Sequence, residues 1–429
     1  MAECIEIIGG RPTSGTIVAS GAKNAALPMM LAALLTSDEV ILDNVPNLDD
    51  VHLTTRLLEN LGANIHADGS QVRISVPSLI ATEASYSLVK ALRASFWVLA
   101  PLLARGGAAR VALPGGDIIG ARPVDMHMAG LAKMGADLTI RHGVVMASAP
   151  HGLKPARIEL RFPSVGATHQ LMMAASLVKG TSVIEGAARE PEVVALARLL
   201  TMMGAEIEGA GGSTIIIHGV SELHGAHVRL IGDRIEAGTY LLAAVASKGS
   251  ITIQGIEPAF LGSFLETLSS LGASVTCGDE TISLVMNGRA KPVLGVTAPF
   301  PGLATDLQAP LMAALAFADG TSQLEETIFE GRFGHVSELC RMGARIVVEE
   351  RTATIEGVEK LSGAPVEGHD IRGAAALIVA AAGAEGMTQI FEPQHLRRGY
   401  ENLERKLRTL GIHVAQRSAD AEDYLFAGC

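Results

Sequence analysis

Two kinds of helical stretch take turns along the chain. In the first kind apolar residues fill nearly every position: "MMLAALLTSDEVILDNV", "WVLAPLLARGGAARVAL", "LMMAASLVKGTSVIEGA", "YLLAAVASKGSITIQGI", "LMAALAFADGTSQLEET" and "ALIVAAAGAEGMTQIFE". Each predicts a helix buried on all sides, a turn, and then a short strand. In the second kind polar and apolar positions follow a helical period up to a glycine: "LLENLGANI", "GLAKMGADL", "LLTMMGAEI", "TLSSLGASV", "ELCRMGARI" and "KLRTLGIHV". Each predicts a half-exposed helix closed by a left-handed glycine and followed by a strand.

The six glycines are Gly62, Gly135, Gly204, Gly272, Gly343 and Gly411, spaced 73, 69, 68, 71 and 68 residues apart. That regularity is an internal repeat of about 70 residues, two helices alternating with strands. Six copies exceed one hydrophobic core, so they divide three and three, with the boundary near "HVRLIGDRIEAGTYLL".

Hydrophobic residues make up 48% of the 429 and aromatics only 3%, so the cores are built from Ala, Leu, Val, Ile and Met. The net charge of −11 argues against general binding to nucleic acid or to a membrane surface. No apolar run reaches 18 residues, and "MAECIEIIGG" lacks the basic start and apolar run of a signal peptide. Cys4, Cys277, Cys340 and Cys429 are scattered without a CxxC, which fits neither a zinc site nor a disulfide framework. These features predict a soluble protein of the reducing cytoplasm.

The chain contains no P-loop, no GxGxxG after a strand, no HExxH and no GxSxG. Charged residues at the heads of apolar helices stand out instead. Lys23 and Asn24 in "SGAKNAALPMM" precede one such helix, where a lysine opposes the helix dipole unless it shares an anion with the free N–H groups. An ordinary exposed lysine is the alternative. Arg93 in "KALRASFWVLAPLL", Arg122 in "GARPVDMHM", Arg372 in "HDIRGAAALIV" and Arg397–Arg398 in "HLRRGYENLERKL" occupy related points of the repeat. Together they suggest an anion pocket, since arginine gives bidentate bonds to phosphate or carboxylate. Asp306 in "PGLATDLQAP" is either a helix cap or a functional acid. Asp233 and Glu236 read as structural, and the run "ERKLR" reads as a solvated helix face. Asp117, in "ALPGGDIIGARPVDMHM", follows two adjacent glycines in a predicted loop.

The stretches "SGAKNAALP", "LPGGDIIGARPVDMH", "FPSVGAT", "AAREPE", "DRIEAGTYL", "TDLQAP", "ETIFEGRFGHVSEL" and "RRGYENLERKL" resemble the enolpyruvyl transferase family, in order and over essentially the whole chain. The resemblance implies a two-domain inside-out α/β barrel fold, helices inside and sheets outside, with the active site in the cleft. It implies one domain of residues 22–229, carrying a lid loop at about 112–123, and another of 1–21 plus 230–429. It further implies transfer of the enolpyruvyl group of phosphoenolpyruvate to the 3-hydroxyl of UDP-N-acetylglucosamine by addition and elimination of phosphate. That is the first committed step of peptidoglycan synthesis. No metal or organic cofactor is required, and the expected state is a monomer or weak homo-oligomer.

Carried over by residue, the resemblance assigns phosphoenolpyruvate to Lys23, Arg93, Arg122 and Arg398, with Arg372 at its carboxylate. Asn24 and Asp306 meet the sugar, Asp306 as base, and Ile328 and Arg332 complete that site. Arg122, Pro123, Val124, Asp125, Met126 and His127, together with Ser164, Val165 and Gly166, line the nucleotide pocket. Many members carry a cysteine, the target of fosfomycin, where this chain has Asp117. A minority carry aspartate and remain transferases: a carboxyl can donate the proton if burial raises its pKa, yet it is a much poorer partner for an epoxide than a thiolate. Some members also have lysine at the position of Phe162. Arg161 beside it is expected to point the other way along a strand. Gly331 and Gly334 replace bulkier residues. The other readings are a transferase with a different nucleotide or sugar acceptor, favoured by Phe162, and a non-catalytic nucleotide-sugar-binding paralogue.

Overall fold

The computed structural model describes residues 2–84, 86–115, 119–120 and 123–419. They form two compact units. One gathers residues through Ser20, Ile119–Gly120 and those from Gly232 onward; the other gathers Gly21 through Gly115 and Pro123 through Ile231.

In each unit the all-apolar stretches are the inner helices. In the unit beginning at Gly21 they are Lys23–Ala32, Leu99–Gly106 and Val165–Ser176. In the other they are Arg234–Ser247, Gln308–Leu315 and Ile371–Gly383. Every residue of Arg234–Ser247 and of Gln308–Leu315 is buried. Alanine at close-packing positions lets such helices approach one another without leaving voids.

The strands form the outer wall. Thr321–Glu325 alternates exposed and buried positions throughout, and Ser250–Gln254 nearly does so. One face of each sheet therefore covers the inner helices and the other meets water. Among the described residues, five sheets have four strands, and the sheet of Ala108–Ala112, Val144–Ser148 and Asp137–Arg141 has three. Each four-stranded sheet contains one parallel pair; in three of them, Arg157–Glu159 with Gly180–Glu185, Leu294–Val296 with Thr321–Glu325 and Pro365–Glu367 with Met387–Phe391, the chain crosses over an inner helix between the two strands.

The half-exposed helices Asp49–Asn60, Asp125–Lys133, Pro191–Met202, Phe264–Ser270, Val336–Arg341 and Leu403–Thr409 each lie just before one of the six repeat glycines. All six glycines have positive φ, between 81° and 113°, so the left-handed turn is the reason for the repeated residue.

Two details revise the expectations. The second inner helix begins as a 3-10 helix, Arg93–Val98, before turning α-helical at Leu99. The run "ERKLR" is not wholly solvated. Lys406 is buried, and its Nζ donates to Glu236 Oε1 and Ser20 Oγ, each at 2.6 Å. Glu236 is itself buried, which raises its pKa against the opposing pull of Lys406, and Oε2 accepts the Ser20 N–H at 2.7 Å. Asp233 caps the helix Arg234–Ser247 by accepting the N–H groups of Ile235 and Glu236. Both acids are thus structural, and the lysine was read as solvated because its buried partner is 170 residues away. No described helix is long and apolar enough to cross a membrane.

Candidate active site

Asp306 sits in the 3-10 turn Thr305–Leu307, ahead of the inner helix Gln308–Leu315. It caps neither element; no side chain does. Its Oδ1 accepts from Arg332 Nη2 at 2.7 Å and its Oδ2 accepts from Arg372 Nη2 at 3.0 Å. Three residues expected at one site from distant parts of the sequence therefore converge. Both guanidiniums are nearly buried, and the carboxylate keeps 25% of its side-chain exposure. Two cations beside one carboxylate favour its ionised form, and the remaining exposure lets a ligand hydroxyl reach it.

Arg372 is placed by the start of the helix Ile371–Gly383, where Asp370 accepts the N–H groups of Arg372 and Gly373 at 2.8 and 3.1 Å. Burial alone would lower the guanidinium pKa, but the charge of Asp306, then that of Tyr400, more than offsets this and the net shift is upward. Its Nη1 donates to Tyr400 OH at 3.3 Å. Ile328 donates its N–H to Glu326 Oε1 at 2.8 Å. The two arginines of "HLRR" separate: Arg397 is exposed and bonds to Glu3 at 2.9 Å, whereas Arg398 is half-buried.

In the unit beginning at Gly21, Lys23 opens its inner helix and is buried, not an exposed lysine. Its Nζ lies 3.2 Å from Asp50 Oδ2, and Asp50 stands in the first turn of the helix Asp49–Asn60. Asn24 and Arg93 are half-buried. Pro123 and Asp125 are exposed, Val124 and Met126 half-buried, and His127 buried. The His127 ring meets Phe96 edge-on at 5.6 Å, and its Nδ1 bonds to Gln170 Oε1. Burial, aided by the charge of Arg93, lowers the His127 pKa to about 4 despite the Gln170 bond, so the ring is neutral at pH 7.

Ser164 caps the helix Val165–Ser176 by accepting the Ala167 N–H at 3.3 Å. A side chain at Gly166 would place its Cβ 2.9 Å from Trp97 Nε1 and 3.1 Å from His127 Cε1, so only glycine fits there. Val165 beside it is half-buried. His127, Trp97 and the Ser164–Gly166 turn thus pack together.

Arg161 and Phe162 form a bend and not a strand, since the strand Arg157–Glu159 ends before them and Pro163 follows. The expectation that Arg161 points away along a strand is therefore corrected. Arg161 pairs with Asp125, which lowers the carboxyl pKa of Asp125 and raises that of the guanidinium. Arg161 also lines a cavity of about 110 Å³ together with Met126, Lys133, Ile158 and Leu160.

Asp117 and Arg122 lie outside the described residues. Next to them in sequence, the Ile119 carbonyl accepts the Gly331 N–H at 3.2 Å, and a Cβ on Gly331 would come within 3.1 Å of Ile119 and Gly120 backbone atoms. The glycine at this position has a steric reason. Gly334 has open space around it. Among the described residues, the ligand atoms of Glu367, His369 and Glu392 lie within 4.8 Å of one another, but His369 is exposed and the cluster belongs to none of the groups above.

Thr305, Glu326, Tyr400 and Gln170 escaped the sequence reading. Thr305, Glu326 and Tyr400 lie within "TDLQAP", "ETIFEGRFGHVSEL" and "RRGYENLERKL", whereas Gln170 lies outside such stretches and its only signal is a polar side chain in an apolar helix.

The family model of EPSP synthase (3-phosphoshikimate 1-carboxyvinyltransferase) matches residues 7–407. The chain is 49% identical over 421 residues to UDP-N-acetylglucosamine 1-carboxyvinyltransferase of Rhodopseudomonas palustris strain TIE-1, covering 96% of this chain and 98% of the relative. It is 50% identical to the protein of that name from Azorhizobium caulinodans, with the same coverage. Among solved structures, the enolpyruvyl transferase NikO from Streptomyces tendae superposes with a TM-score of 0.87 at 26% identity, over 98% of this chain and 100% of that one. An EPSP synthase from Acinetobacter baumannii shares the fold, with a TM-score of 0.73 at 17% identity over 97% of this chain and 100% of that one.

Proposed function

Since the chain belongs to the EPSP synthase (3-phosphoshikimate 1-carboxyvinyltransferase) family, we propose that it transfers the enolpyruvyl group of phosphoenolpyruvate to the 3-hydroxyl of UDP-N-acetylglucosamine. It is a transferase of peptidoglycan synthesis. One observation carries the choice of acceptor: relatives named for that reaction match nearly the full length of this chain and of their own.

In this reading the acid is Asp117, which protonates the methylene carbon of phosphoenolpyruvate. The sugar 3-hydroxyl bonds to the adjacent carbon and gives its proton to Asp306. A proton of the new methyl group then returns to the Asp117 carboxylate as phosphate departs from the neighbouring carbon, and the proton taken up by Asp306 leaves with the phosphate. Lys23, Arg93, Arg122 and Arg398 hold phosphoenolpyruvate, and Arg372 helps with its carboxylate. Asn24, Ile328 and Arg332 meet the sugar. Pro123 to His127 and Ser164 to Gly166 take the nucleotide. The pairing of Asp306 with Arg332 and Arg372 supports its role, because it keeps a base ionised next to groups that bind anions. The chain divides for this purpose into 22–229 and 1–21 plus 230–429. The cytoplasm supplies both substrates, and the enzyme works as a monomer or weak homo-oligomer with no nucleic-acid or membrane partner.

Incubation with both substrates should convert UDP-N-acetylglucosamine to its enolpyruvyl ether, read by mass spectrometry. An unchanged sugar nucleotide that still binds would favour the non-catalytic reading. The exposed Phe162 is the feature that leans toward a different acceptor, and UMP tested against UDP-N-acetylglucosamine in the same assay separates the two enzyme readings. Fosfomycin should leave activity intact after prolonged preincubation, because a carboxylate at position 117 is a poor partner for an epoxide. Time-dependent inactivation at low fosfomycin would contradict the assignment of Asp117.

A further inference from the structure

The Asp306 carboxylate is gripped on both sides by guanidiniums, and each guanidinium is in turn held by a hydroxyl whose proton is committed elsewhere. On one side, Arg332 Nη1 donates to Thr305 Oγ1 at 2.8 Å while Nη2 donates to Asp306. The Thr305 hydroxyl spends its own proton on Glu326 Oε2 at 2.8 Å, so it presents a lone pair to the arginine. Glu326 is fully buried and cannot drift. Its Oε1 accepts the N–H groups of Ile328 and Phe329 at 2.8 and 3.0 Å, and its own N–H donates to the Arg351 carbonyl at 2.8 Å.

The other side repeats the logic with different residues. Arg372 Nη1 donates to Tyr400 OH, and Nη2 donates to Asp306. Tyr400 OH lies 3.0 Å from Thr239 Oγ1. Thr239 uses its proton on the Ile235 carbonyl at 2.8 Å, so Tyr400 must donate to it and turn a lone pair toward Arg372. Both hydroxyls are acceptors toward the arginines by the direction of their hydrogen-bond chains. Neither contacts the reacting atoms in the mechanism above.

We infer that Thr305 and Tyr400 are positioning residues that aim Arg332 and Arg372 at the two oxygens of Asp306. A guanidinium is planar and long, with several rotamers to lose, so fixing its far end restricts where the near end can point. The inference rests on the reading of Asp306 as the base that receives the sugar proton. Behind the two arginines stand further charged or titratable groups: Glu326 behind Thr305, Tyr400, Asp233 and Asp370 beside Arg372, and His335 beside Arg332.

The test uses Thr305→Val and Tyr400→Phe, which remove one oxygen each, with Thr305→Ser as the rescue. The full-length variants are compared with the wild type for kcat, for KM of both substrates and for the pH profile of kcat. Each of the first two should lower kcat about five- to tenfold and move the acidic limb of the profile to higher pH, since a loosely aimed cation stabilises the carboxylate less. Thr305→Ser should restore both. A purely structural role would lower the melting temperature and leave the pH limb in place. A second readout is independent of turnover: the carboxyl carbon resonance that Asp306→Asn removes should titrate at higher pH in both variants. Wild-type activity with unchanged profiles and an unchanged titration overturns the inference and leaves the transferase reading standing. A wild type without turnover overturns the transferase reading, and the resonance alone then decides whether the hydroxyls aim the arginines.

Discussion

Asp306→Asn is expected to lower kcat by about a hundred- to ten-thousandfold, the range for loss of a positioned general base, while UDP-N-acetylglucosamine still binds. The amide keeps the shape of the carboxylate but not its charge or proton affinity. The same change leaves Arg332 and Arg372, both nearly buried, without their shared counter-charge. Removing one partner of a buried ion pair costs about 3–5 kcal/mol; the partial exposure of Asp306 puts the expected loss at the lower end, about 3 kcal/mol, in Asp306→Ala. Steady-state kinetics and thermal unfolding of the two variants check this. Full activity in Asp306→Asn would remove Asp306 from the chemistry, and an unchanged melting temperature in Asp306→Ala would mean that the arginines find other partners.

The second large effect is loss of stability in mild acid. His127, His169 and His335 are buried, and burial lowers their pKa values to about 4, about 3 and about 4. In the unfolded chain each titrates near 6.5. Above pH 6.5 both states are neutral and stability does not depend on these groups. Below it the unfolded chain takes up protons that the folded chain refuses, so stability falls until the pH reaches the folded values. At pH 5.5 each histidine costs about 1.4 kcal/mol, or about 4 kcal/mol for the three. That is a large share of the roughly 5–15 kcal/mol by which proteins are usually stable. Urea unfolding at pH 7.5 and pH 5.5 should show the midpoint dropping sharply. A midpoint that is flat across this range would mean that the three rings are charged or hydrated in the folded state.

The repeat was legible in the sequence because its signals are local. A glycine after an amphipathic helix needs only its own turn, and a run such as "ALIVAAAGAEG" declares its burial without reference to anything else. Asp306 and Arg372 stand out at the heads of apolar helices and Arg332 enters by resemblance alone; the structure brings both arginines to the Asp306 carboxylate. What stayed hidden depends on partners that sequence distance conceals. Lys406 belongs to a charge run that looks solvated, and Glu236 and Ser20, both far away in sequence, make its burial tolerable. Arg161 looks like part of a strand, but the strand ends at Glu159 and a bend leads into Pro163. The hydroxyls of Thr305 and Tyr400 gained their meaning from the direction of hydrogen-bond chains, which nothing in the residue order records.

Whether this chain uses phosphoenolpyruvate to modify UDP-N-acetylglucosamine, with Asp117 as the acid, is tested most directly by phosphate release. Release from phosphoenolpyruvate is measured with and without UDP-N-acetylglucosamine, for the wild type and for Asp117→Asn. The predicted result is release by the wild type in the presence of the sugar nucleotide and none by the variant. Absence of release by the wild type, with the sugar nucleotide bound, would contradict it.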